Sequence, residues 1–432
     1  MKKKDYLIKG DFVYRNTDVL HASSAVNSTL FLNDERILID LEAANGTALL
    51  GYDSSIIKDA IEDIAALPMV PSFVETDIRV DLAEQLATAL NCKLGENGKV
   101  AFDLGGGQGI ELALKMAAKN NPGKRTIVVL DGSYHGRTIT TSCLSASPRY
   151  RNALNGSVFN VVRLPVPELL PELGSKAKEY CMAHLKRLFS DERFGLFSEK
   201  GSDILGFIYE PVLNVSGLVQ LDSDYLHQIV ENIRSCGGMV IADEIFTGFY
   251  RFGTLLASTR HGIVPDFVVM SKIITNGIVP VSMVWGREKL VTEVTFPPGE
   301  HSVTFGNSVL SFAIAKRVIS RVFTLIDEDF NRVSKFLQCI GDEFFSSLKG
   351  TIEGYKVDGL TAKLILKPSI NAGLLKEKLV KGVDIGDKQY GLLVASTGLV
   401  NDMLMLHPPV TISDEEMEIA MSIVNRLGKI KI

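Results

Sequence analysis

The sequence predicts an α/β protein with a mainly parallel central sheet, and two features of its middle part support that prediction. Short apolar runs without polar alternation, as in strands buried on both faces, recur at 125–130, 204–209, 238–242 and 266–270. Amphipathic helical stretches such as 224–235 lie between them. Alternation of strands and helices is typical of parallel sheets, because parallel strands need long crossover connections.

The two ends of the chain depart from this pattern. Residues 29–41 predict a β-hairpin, and the last part of the chain combines a helical start with strands such as 362–366. We therefore expect a large domain flanked by two segments that build a smaller α+β domain. The expected boundaries are 1–60 for the N-terminal segment of the small domain, 61–318 for the large domain and 319–432 for the C-terminal small domain.

Composition excludes several classes of protein. The 432 residues are 46% hydrophobic and 22% charged with a net charge of −5, which is ordinary for a globular protein and gives no electrostatic footprint for nucleic acid. No apolar run is long enough to predict a membrane span. The five cysteines are widely spaced and form no CxxC pair, which indicates a reducing cytoplasm rather than a disulfide scaffold or zinc site.

Polar side chains follow each predicted central strand at the point where the strand ends. Tyr134 and His135 follow the first strand, Glu210 the second, Asp243 the third and Lys272 the fourth. In open α/β sheets the ligand lies beyond the carboxyl ends of the strands. The sequence therefore predicts that four segments place titratable groups around one site.

A glycine cluster, Gly105-Gly106-Gly107-Gln108-Gly109, precedes a helical stretch. Free N–H groups at the start of a helix suit a phosphate. The cluster by itself fits a tight turn without ligand equally well, and it matches neither a complete dinucleotide-binding motif nor a Walker A motif. A nucleotide-binding module therefore stays an alternative.

Three residues at the strand ends each allow a chemical and a structural interpretation. Asp243 follows a buried strand and needs either hydrogen bonds or a cationic partner. A protonated pyridine nitrogen would supply such a cation; a metal ion is the other functional interpretation, but no His or Cys lies nearby at ligand spacing. Lys272 is either a desolvated amine that forms a Schiff base or a lysine that extends to solvent. Tyr134 either stacks on a planar ligand or is a half-buried turn aromatic.

Taken together, these features match the needs of pyridoxal 5′-phosphate (PLP): a phosphate cradle, an aromatic plate, an acid for the ring nitrogen and an amine for the aldehyde. The sequence resembles the class III (ω-) aminotransferases, which are fold type I PLP-dependent transferases. The resemblance rests on motifs between about 100 and 412: Tyr134–Thr138, Glu210-Pro211-Val212, Ile241–Phe249 with Arg251 and Gly253, Pro265–Lys272, Thr304–Asn307 and Pro408–Ile412.

The resemblance implies a role for several residues. Lys272 is similar to the Schiff-base lysine that also moves the proton, so the implied reaction is ping-pong amino transfer through a Lys272 aldimine. Asp243 is similar to the partner of the pyridinium nitrogen. Tyr134 and Ile245 are similar to the residues on the two faces of the ring, and His135 lies in the same motif, near the ring.

Other implied roles concern the phosphate and the subunit partner. Gly106, Gly107 and Gln108 fall at the family's phosphate loop, and Glu210 begins its Glu-Pro motif near the cofactor. Thr304 is similar to the threonine that reaches the phosphate of the neighbouring subunit. The resemblance therefore implies a homodimer with shared active sites.

Three positions depart from the family pattern. Gly107 stands where a serine is usual, Met405 where many members have a carboxylate-binding arginine, and Val215 where the ornithine and 4-aminobutyrate enzymes have its glutamate partner. Replacing both residues of a buried ion pair by apolar residues can be nearly neutral for stability, whereas replacing only one leaves a buried unpaired charge and is destabilising. We therefore expect an apolar pocket wall that does not bind glutamate as those enzymes do.

The sequence leaves the substrate and the reaction type open. Either the substrate lacks an α-carboxylate, or another cation such as Arg137, Arg149 or Arg251 holds it. The same scaffold hosts racemases or epimerases, aminomutases and lyases. A PLP-free structural relative is the remaining alternative, although intact Lys272 and Asp243 argue against it.

Overall fold

The computed structural model describes residues 20–147, 150, 158–190, 193, 195, 203–398 and 402–429. The strands are β1 (Ala22–Val26), β2 (Thr29–Leu32), β3 (Ile37–Asp40), β4 (Gly98–Asp103), β5 (Thr126–Leu130), β6 (Asn160–Leu164), β7 (Ile204–Tyr209), β8 (Val212–Leu213), β9 (Val219–Gln220), β10 (Met239–Asp243), β11 (Phe267–Met270), β12 (Ser282–Arg287), β13 (Ile352–Asp358), β14 (Thr361–Leu366), β15 (Val383–Ile385), β16 (Lys388–Leu393), β17 (Ala395–Thr397) and β18 (Met403–Leu406). The helices are α1 (Ser55–Asp63), α2 (Asp77–Leu94), α3 (Gly106–Asn120), α4 (Ile139–Leu144), α5 (Ala177–Ser190), α6 (Ser223–Ser235), α7 (Val309–Val322), α8 (Asp327–Ser347), α9 (Ala372–Lys381) and α10 (Asp414–Lys429).

The central sheet has the strand order β4-β12-β11-β10-β7-β5-β6. Strand β12 runs antiparallel to both of its neighbours, and the remaining pairs are parallel, so the predicted α/β fold with a mainly parallel sheet is confirmed. The four apolar runs correspond to β5, β7, β10 and β11, each displaced by at most one residue. Strands β4, β6 and β12 of this sheet were not predicted. Strand β4 lies at the sheet edge and is only partly buried, which shortens its apolar run.

Helices cover both faces of this sheet. Alternate residues of one strand enter different cores: Ile241 packs with residues of α3, whereas Ala242 packs with residues of α5 and α6. Burial of each large aliphatic side chain contributes about 1.5–3 kcal/mol, so both faces of the inner strands β5, β7, β10 and β11 stabilise the sheet. With both faces covered, the open approach to the central strands is at their ends.

Two smaller sheets are built from the ends of the chain, and one of them combines both ends. One has the order β1-β2-β3-β16-β15, in which β3 pairs in parallel with β16 across more than 300 residues. The other has the order β13-β14-β18-β17. Strands β2 and β3 form the hairpin expected within 29–41. The boundaries at 60 and 318 stay a prediction.

Two features are absent from the described part of the chain. No described helix is long and apolar enough to cross a membrane. In the same part of the chain, no group of three or more His, Cys, Asp or Glu side chains is arranged to hold a metal ion.

Candidate active site

The carboxyl ends of β5, β7, β10 and β11 bring the predicted site residues to one edge of the central sheet. The backbone N–H of Tyr134 donates to Glu210 Oε1 at 2.7 Å, and His135 Nδ1 lies 2.7 Å from Asp243 Oδ2. These contacts join β5 to β7 and β5 to β10. The structure therefore places these four residues together, as the position of each at a strand end predicted.

Asp243 is fixed through both carboxylate oxygens. His135 Nδ1 contacts Oδ2, and the backbone N–H of Ile245 donates to Oδ1 at 3.1 Å. A carboxylate can only accept, so His135 Nδ1 carries the hydrogen and donates it. Asp243 is 3% exposed and His135 is 1% exposed, and His135 Nε2 is buried without a partner among the described residues. The carboxylate is thus held in one orientation.

Glu210 supports the segment that carries Tyr134. Besides the Tyr134 N–H, its carboxyl accepts a bond from the Asn214 N–H at 3.3 Å. Burial, together with the neighbouring negative charge of Asp243, raises the pKa of Glu210. A proton is therefore held more readily at Glu210 than at an exposed glutamate.

Lys272 opens a short 3-10 helix, Lys272–Thr275, directly after β11, and its backbone has a φ of 46°. A left-handed conformation is strained for a residue other than glycine, and such strain often marks functional sites. The ammonium donates to the carbonyl oxygen of Asn45 at 3.0 Å and lies 4.7 Å from the ring centroid of Phe246. Burial lowers the pKa of Lys272 to about 8.

The partner of Lys272 lies in a left-handed turn, Ala43–Gly46, in which all four residues have φ between 46° and 78°. The Asp40 carboxylate holds the start of the turn by accepting bonds from the N–H groups of Glu42 at 2.7 Å and Ala43 at 2.9 Å. A Cβ at Gly46 would lie 2.8 Å from Phe246 Cε2, so only glycine fits there. The turn thus approaches the site closely enough to bind Lys272.

The glycine cluster lies between β4 and α3, and the helix that follows it was predicted. Gly105 precedes the helix and has no side chain that could accept a hydrogen bond, so the first N–H groups of α3 have no side-chain cap. A Cβ at Gly106 would lie 3.1 Å from Ile245 Cδ1, and one at Gly107 would lie 3.1 Å from Thr138 Cγ2. The helix start therefore borders Ile245 on one side and Thr138 on the other. The Gln108 side chain is exposed.

An aromatic and cationic group lies around Tyr134. The rings of Tyr134 and Tyr150 meet edge to face with centroids 5.3 Å apart, and the Arg137 guanidinium lies 4.9 Å from the Tyr150 centroid. Arg137 is exposed. Burial is the largest single effect on its pKa and lowers it, but the hydrogen bonds and charge interactions with the two tyrosines together outweigh burial and raise the pKa of Arg137. The Arg137 guanidinium is therefore accessible beside the rings of Tyr134 and Tyr150.

Arg251 has a different environment. Its guanidinium is fully buried and donates to the carbonyl oxygens of His407 at 3.3 Å, Pro408 at 3.2 Å and Gly46 at 3.2 Å. Burial lowers its pKa to about 10. These contacts tie the left-handed turn to the segment after β18 and leave no accessible face for a substrate carboxylate. Arg149, the other candidate, lies outside the described residues.

Two of the three positions that depart from the family pattern, Met405 and Val215, are both connected to strand β17. Met405 is buried in an apolar cluster with Phe246 and Phe252, and it pairs with Ala395 across β17 and β18. The Thr397 hydroxyl, at the end of β17, donates to the carbonyl oxygen of Val215 at 3.1 Å. The wall formed by Met405 is therefore apolar.

Thr304 is not brought into this group. It lies in the loop before α7 with an exposed side chain, and no hydrogen bond among the described residues joins it to the site. Phe305 beside it is 68% exposed, and Phe73 on a neighbouring segment is 88% exposed. The two segments are connected because the Asn307 side chain donates to the Val74 carbonyl oxygen.

Sequence reasoning missed two groups that contact Lys272. Asn45 contributes only a backbone carbonyl, and the adjacent Asn45-Gly46 pair was the only available sign of a left-handed turn. Phe246 lies within the quoted motif that contains Asp243, but no role was assigned to it. Its position three residues after Asp243 was the sequence feature that could have indicated a contact with the site.

Comparison with known proteins gives a consistent result. A family model described as aminotransferase class-III matches residues 13–427. An ornithine aminotransferase from Emericella nidulans is 29% identical over 332 residues, which cover 74% of this chain and 67% of the relative. A vanillin aminotransferase from Capsicum annuum is 25% identical over 413 residues, covering 90% of this chain and 86% of the relative.

Solved structures show the same fold. An amine transaminase from an uncultivated Pseudomonas species, in a PLP-bound form, has a TM-score of 0.79 at 19% identity and covers 95% of this chain and 94% of its own. An ornithine aminotransferase from Toxoplasma gondii has a TM-score of 0.76 at 21% identity, with coverage of 97% and 92%.

Proposed function

Because this chain belongs to the class-III aminotransferase family of fold type I PLP-dependent enzymes, we propose that it exchanges an amino group between an amine or amino acid and a carbonyl acceptor by a ping-pong mechanism. The observation that carries the proposal is the placement of Lys272 and Asp243 at the same edge of the central sheet. Bound PLP supplies an aldehyde for an amine and an electron-accepting ring.

The residues at this edge fit that cofactor. The uncapped start of α3 offers the N–H groups of Gly106, Gly107 and Gln108 to a phosphate. The fixed carboxylate of Asp243 would hold a proton on the ring nitrogen. Gly107 lacks the usual serine hydroxyl, so the backbone carries more of the phosphate binding.

The two faces of the ring have candidate partners. Tyr134 would stack on one face and Ile245 on the other, since Ile245 borders the start of α3. Glu210 would position Tyr134 through the 2.7 Å bond to its backbone N–H, and His135 would position Asp243. The ring would thus be oriented before a substrate arrives.

Lys272 would carry out the proton transfers. A pKa of about 8 leaves a substantial neutral fraction near neutral pH, which suits both nucleophilic attack and proton abstraction. Its bond to the Asn45 carbonyl oxygen directs the amine towards the left-handed turn rather than towards bulk solvent.

The substrate pocket has an apolar wall at Met405 and Val215 in place of an arginine and a glutamate. The packing of Met405 against Phe246 supports this part of the proposal, since an unpaired cation there would be buried in an apolar environment. We therefore expect glutamate to be a poor donor. An amino donor without a charged carboxylate, such as a simple amine, fits such a wall better.

A homodimer with shared active sites belongs to the same proposal. The exposed side chains of Phe73 and Phe305 support it, because large exposed apolar groups mark interaction surfaces. Thr304 lies beside Phe305 and would reach the partner's phosphate. The proposal also includes the three-segment division of the chain at 60 and 318. It includes a cytoplasmic location as well, and the cysteine pattern supports that location.

Spectroscopy of the purified holoenzyme tests the reaction. We expect a yellow protein that borohydride fixes at Lys272, and an amine donor alone should release one carbonyl product and shift the cofactor absorbance to that of its amine form. Lys272→Ala should lose the colour, whereas Lys289→Ala, at an exposed lysine, should keep it. Interconversion of enantiomers without carbonyl release would instead identify a racemase, and a colourless protein would overturn the assignment.

A further inference from the structure

A lysine outside the predicted site lies in the same row of side chains as Met405. In the four-stranded sheet, Lys363 of β14 pairs with Met405 of β18, which in turn pairs with Ala395 of β17. Directly opposed residues project from the same face of a sheet. Met405 belongs to the same buried apolar cluster as Phe246, whose ring lies 4.7 Å from Lys272 Nζ, so this face of the sheet is connected to the site through that cluster.

The ammonium of Lys363 is poorly satisfied where it lies. It is half-buried and donates to the carbonyl oxygen of Gly217 at 2.9 Å, and none of the ion pairs among the described residues includes it. Burial lowers the pKa of Lys363. The charge of the Asp402 carboxylate has the opposite effect on this pKa, but Asp402 forms no ion pair with Lys363. An ammonium has three donors, so two remain for a ligand.

The loop that accepts the hydrogen bond of Lys363 also contacts the segment that leads to Tyr134. Gly217 ends the segment 214–217, which contains Val215. The Ser216 hydroxyl donates to the Gly132 carbonyl oxygen at 2.6 Å, two residues before Tyr134. The Lys363 ammonium, bound to the Gly217 carbonyl oxygen, therefore lies next to the loop that contains Val215.

We propose that Lys363 binds the carboxylate of an oxo-acid acceptor, in place of the arginine that Met405 replaces. The inference rests on the proposed amino transfer and specifies its acceptor as a small monocarboxylate. A lysine is a point charge without the two-pronged geometry of a guanidinium, so one carboxylate on a short acid suits it. The apolar row from Ala395 to Met405 would face the uncharged part of that acid.

The test compares two acceptors that differ only in the carboxylate, pyruvate and acetaldehyde, with the holoenzyme. In Lys363→Met we expect the KM for pyruvate to rise at least tenfold and the kcat/KM for acetaldehyde to stay within twofold. Lys363→Arg should recover most of the pyruvate affinity. Calorimetric titration with propionate, which does not react, should show the same loss of binding in Lys363→Met.

Lys367→Met is the matched control, because this lysine also lies beside β14 and donates to a backbone carbonyl oxygen, that of Lys349, at 2.9 Å. It should leave both acceptors unchanged. Equal effects of Lys363→Met on pyruvate and acetaldehyde, or unchanged propionate binding, would overturn this inference and leave the amino transfer standing. Absence of any carbonyl release from an amine would instead refute the proposed function. If Lys363→Met is unstable, Lys363→Gln gives the same comparison.

Discussion

The imidazole Nδ1 of His135 lies 2.7 Å from Oδ2 of Asp243, and both side chains are almost completely buried. His135 was expected near the ring plate, and the structure places its side chain against the carboxylate. Since the Ile245 N–H holds the other oxygen, Asp243 cannot rotate without breaking one of two bonds. We therefore interpret His135 as a positioning residue for Asp243.

This pair should show energetic coupling in folding. We expect His135→Ala and Asp243→Asn each to lower the free energy of unfolding by about 1–3 kcal/mol, because each leaves a buried polar partner unsatisfied. The double variant should lose less than the sum, with a coupling of about 0.5–3 kcal/mol. Urea denaturation of the apoprotein followed by the fluorescence of Trp285, the single tryptophan, measures this. Additive losses would contradict the coupling.

The burial of Lys272 predicts the pH dependence of cofactor capture by the apoprotein. Only the neutral amine attacks an aldehyde, and a pKa near 8, below the ordinary 10.5, makes it neutral at lower pH. Arg251 also favours the neutral form, whereas Glu210, Asp243 and Glu42 oppose it.

The rate of PLP capture should therefore rise about tenfold per pH unit below 8 and level off above it. Stopped-flow absorbance measures the rate, and Lys272→Ala should show no such phase. A rate that continues to rise to pH 10 would contradict a lowered pKa.

Met405→Arg should not by itself create a glutamate transaminase. The new cation would enter the apolar cluster around Phe246 without a partner, and we expect a loss of about 3–5 kcal/mol in the free energy of unfolding. Adding Val215→Glu should recover part of this loss and raise the turnover of glutamate with 2-oxoglutarate. Thermal unfolding and coupled assays measure the two effects. Strong glutamate turnover by Met405→Arg alone, or by the unaltered protein, would contradict the account of the pocket.

Gly98→Ala should destabilise the central sheet. Gly98 begins β4, and a Cβ there would overlap the indole of Trp285 on the paired strand β12. The indole is fully buried and donates to Asn91 Oδ1 at 2.8 Å, so it cannot move aside freely. We expect a loss of about 1–3 kcal/mol in urea denaturation. Gly350→Ala is the control, since no atom lies within 4 Å of its Cβ position, and similar losses in both would contradict the steric cause.

The sequence alone was sufficient for four of the seven central strands and for placing polar residues at the ends of those strands. Runs such as 204–209 are uninterrupted because both faces of the strand are buried, and this burial is a property of a few consecutive residues. Parallel strands share one carboxyl edge, so the position of Glu210, Asp243 and Lys272 at strand ends was enough to group them. The hairpin within 29–41 and the helix start at Gly106 are equally local.

Tertiary structure decided the features that depend on residues far apart in the chain. The Lys272 ammonium contacts the carbonyl oxygen of Asn45, which is 227 residues away in the chain. Lys363 lies opposite Met405 because the antiparallel strands β14 and β18 pair in that register. A backbone carbonyl has no side-chain signature in a sequence, and a cross-strand register depends on how two distant segments pair. Local patterns therefore determined which residues are reactive, and long-range packing determined what each of them faces.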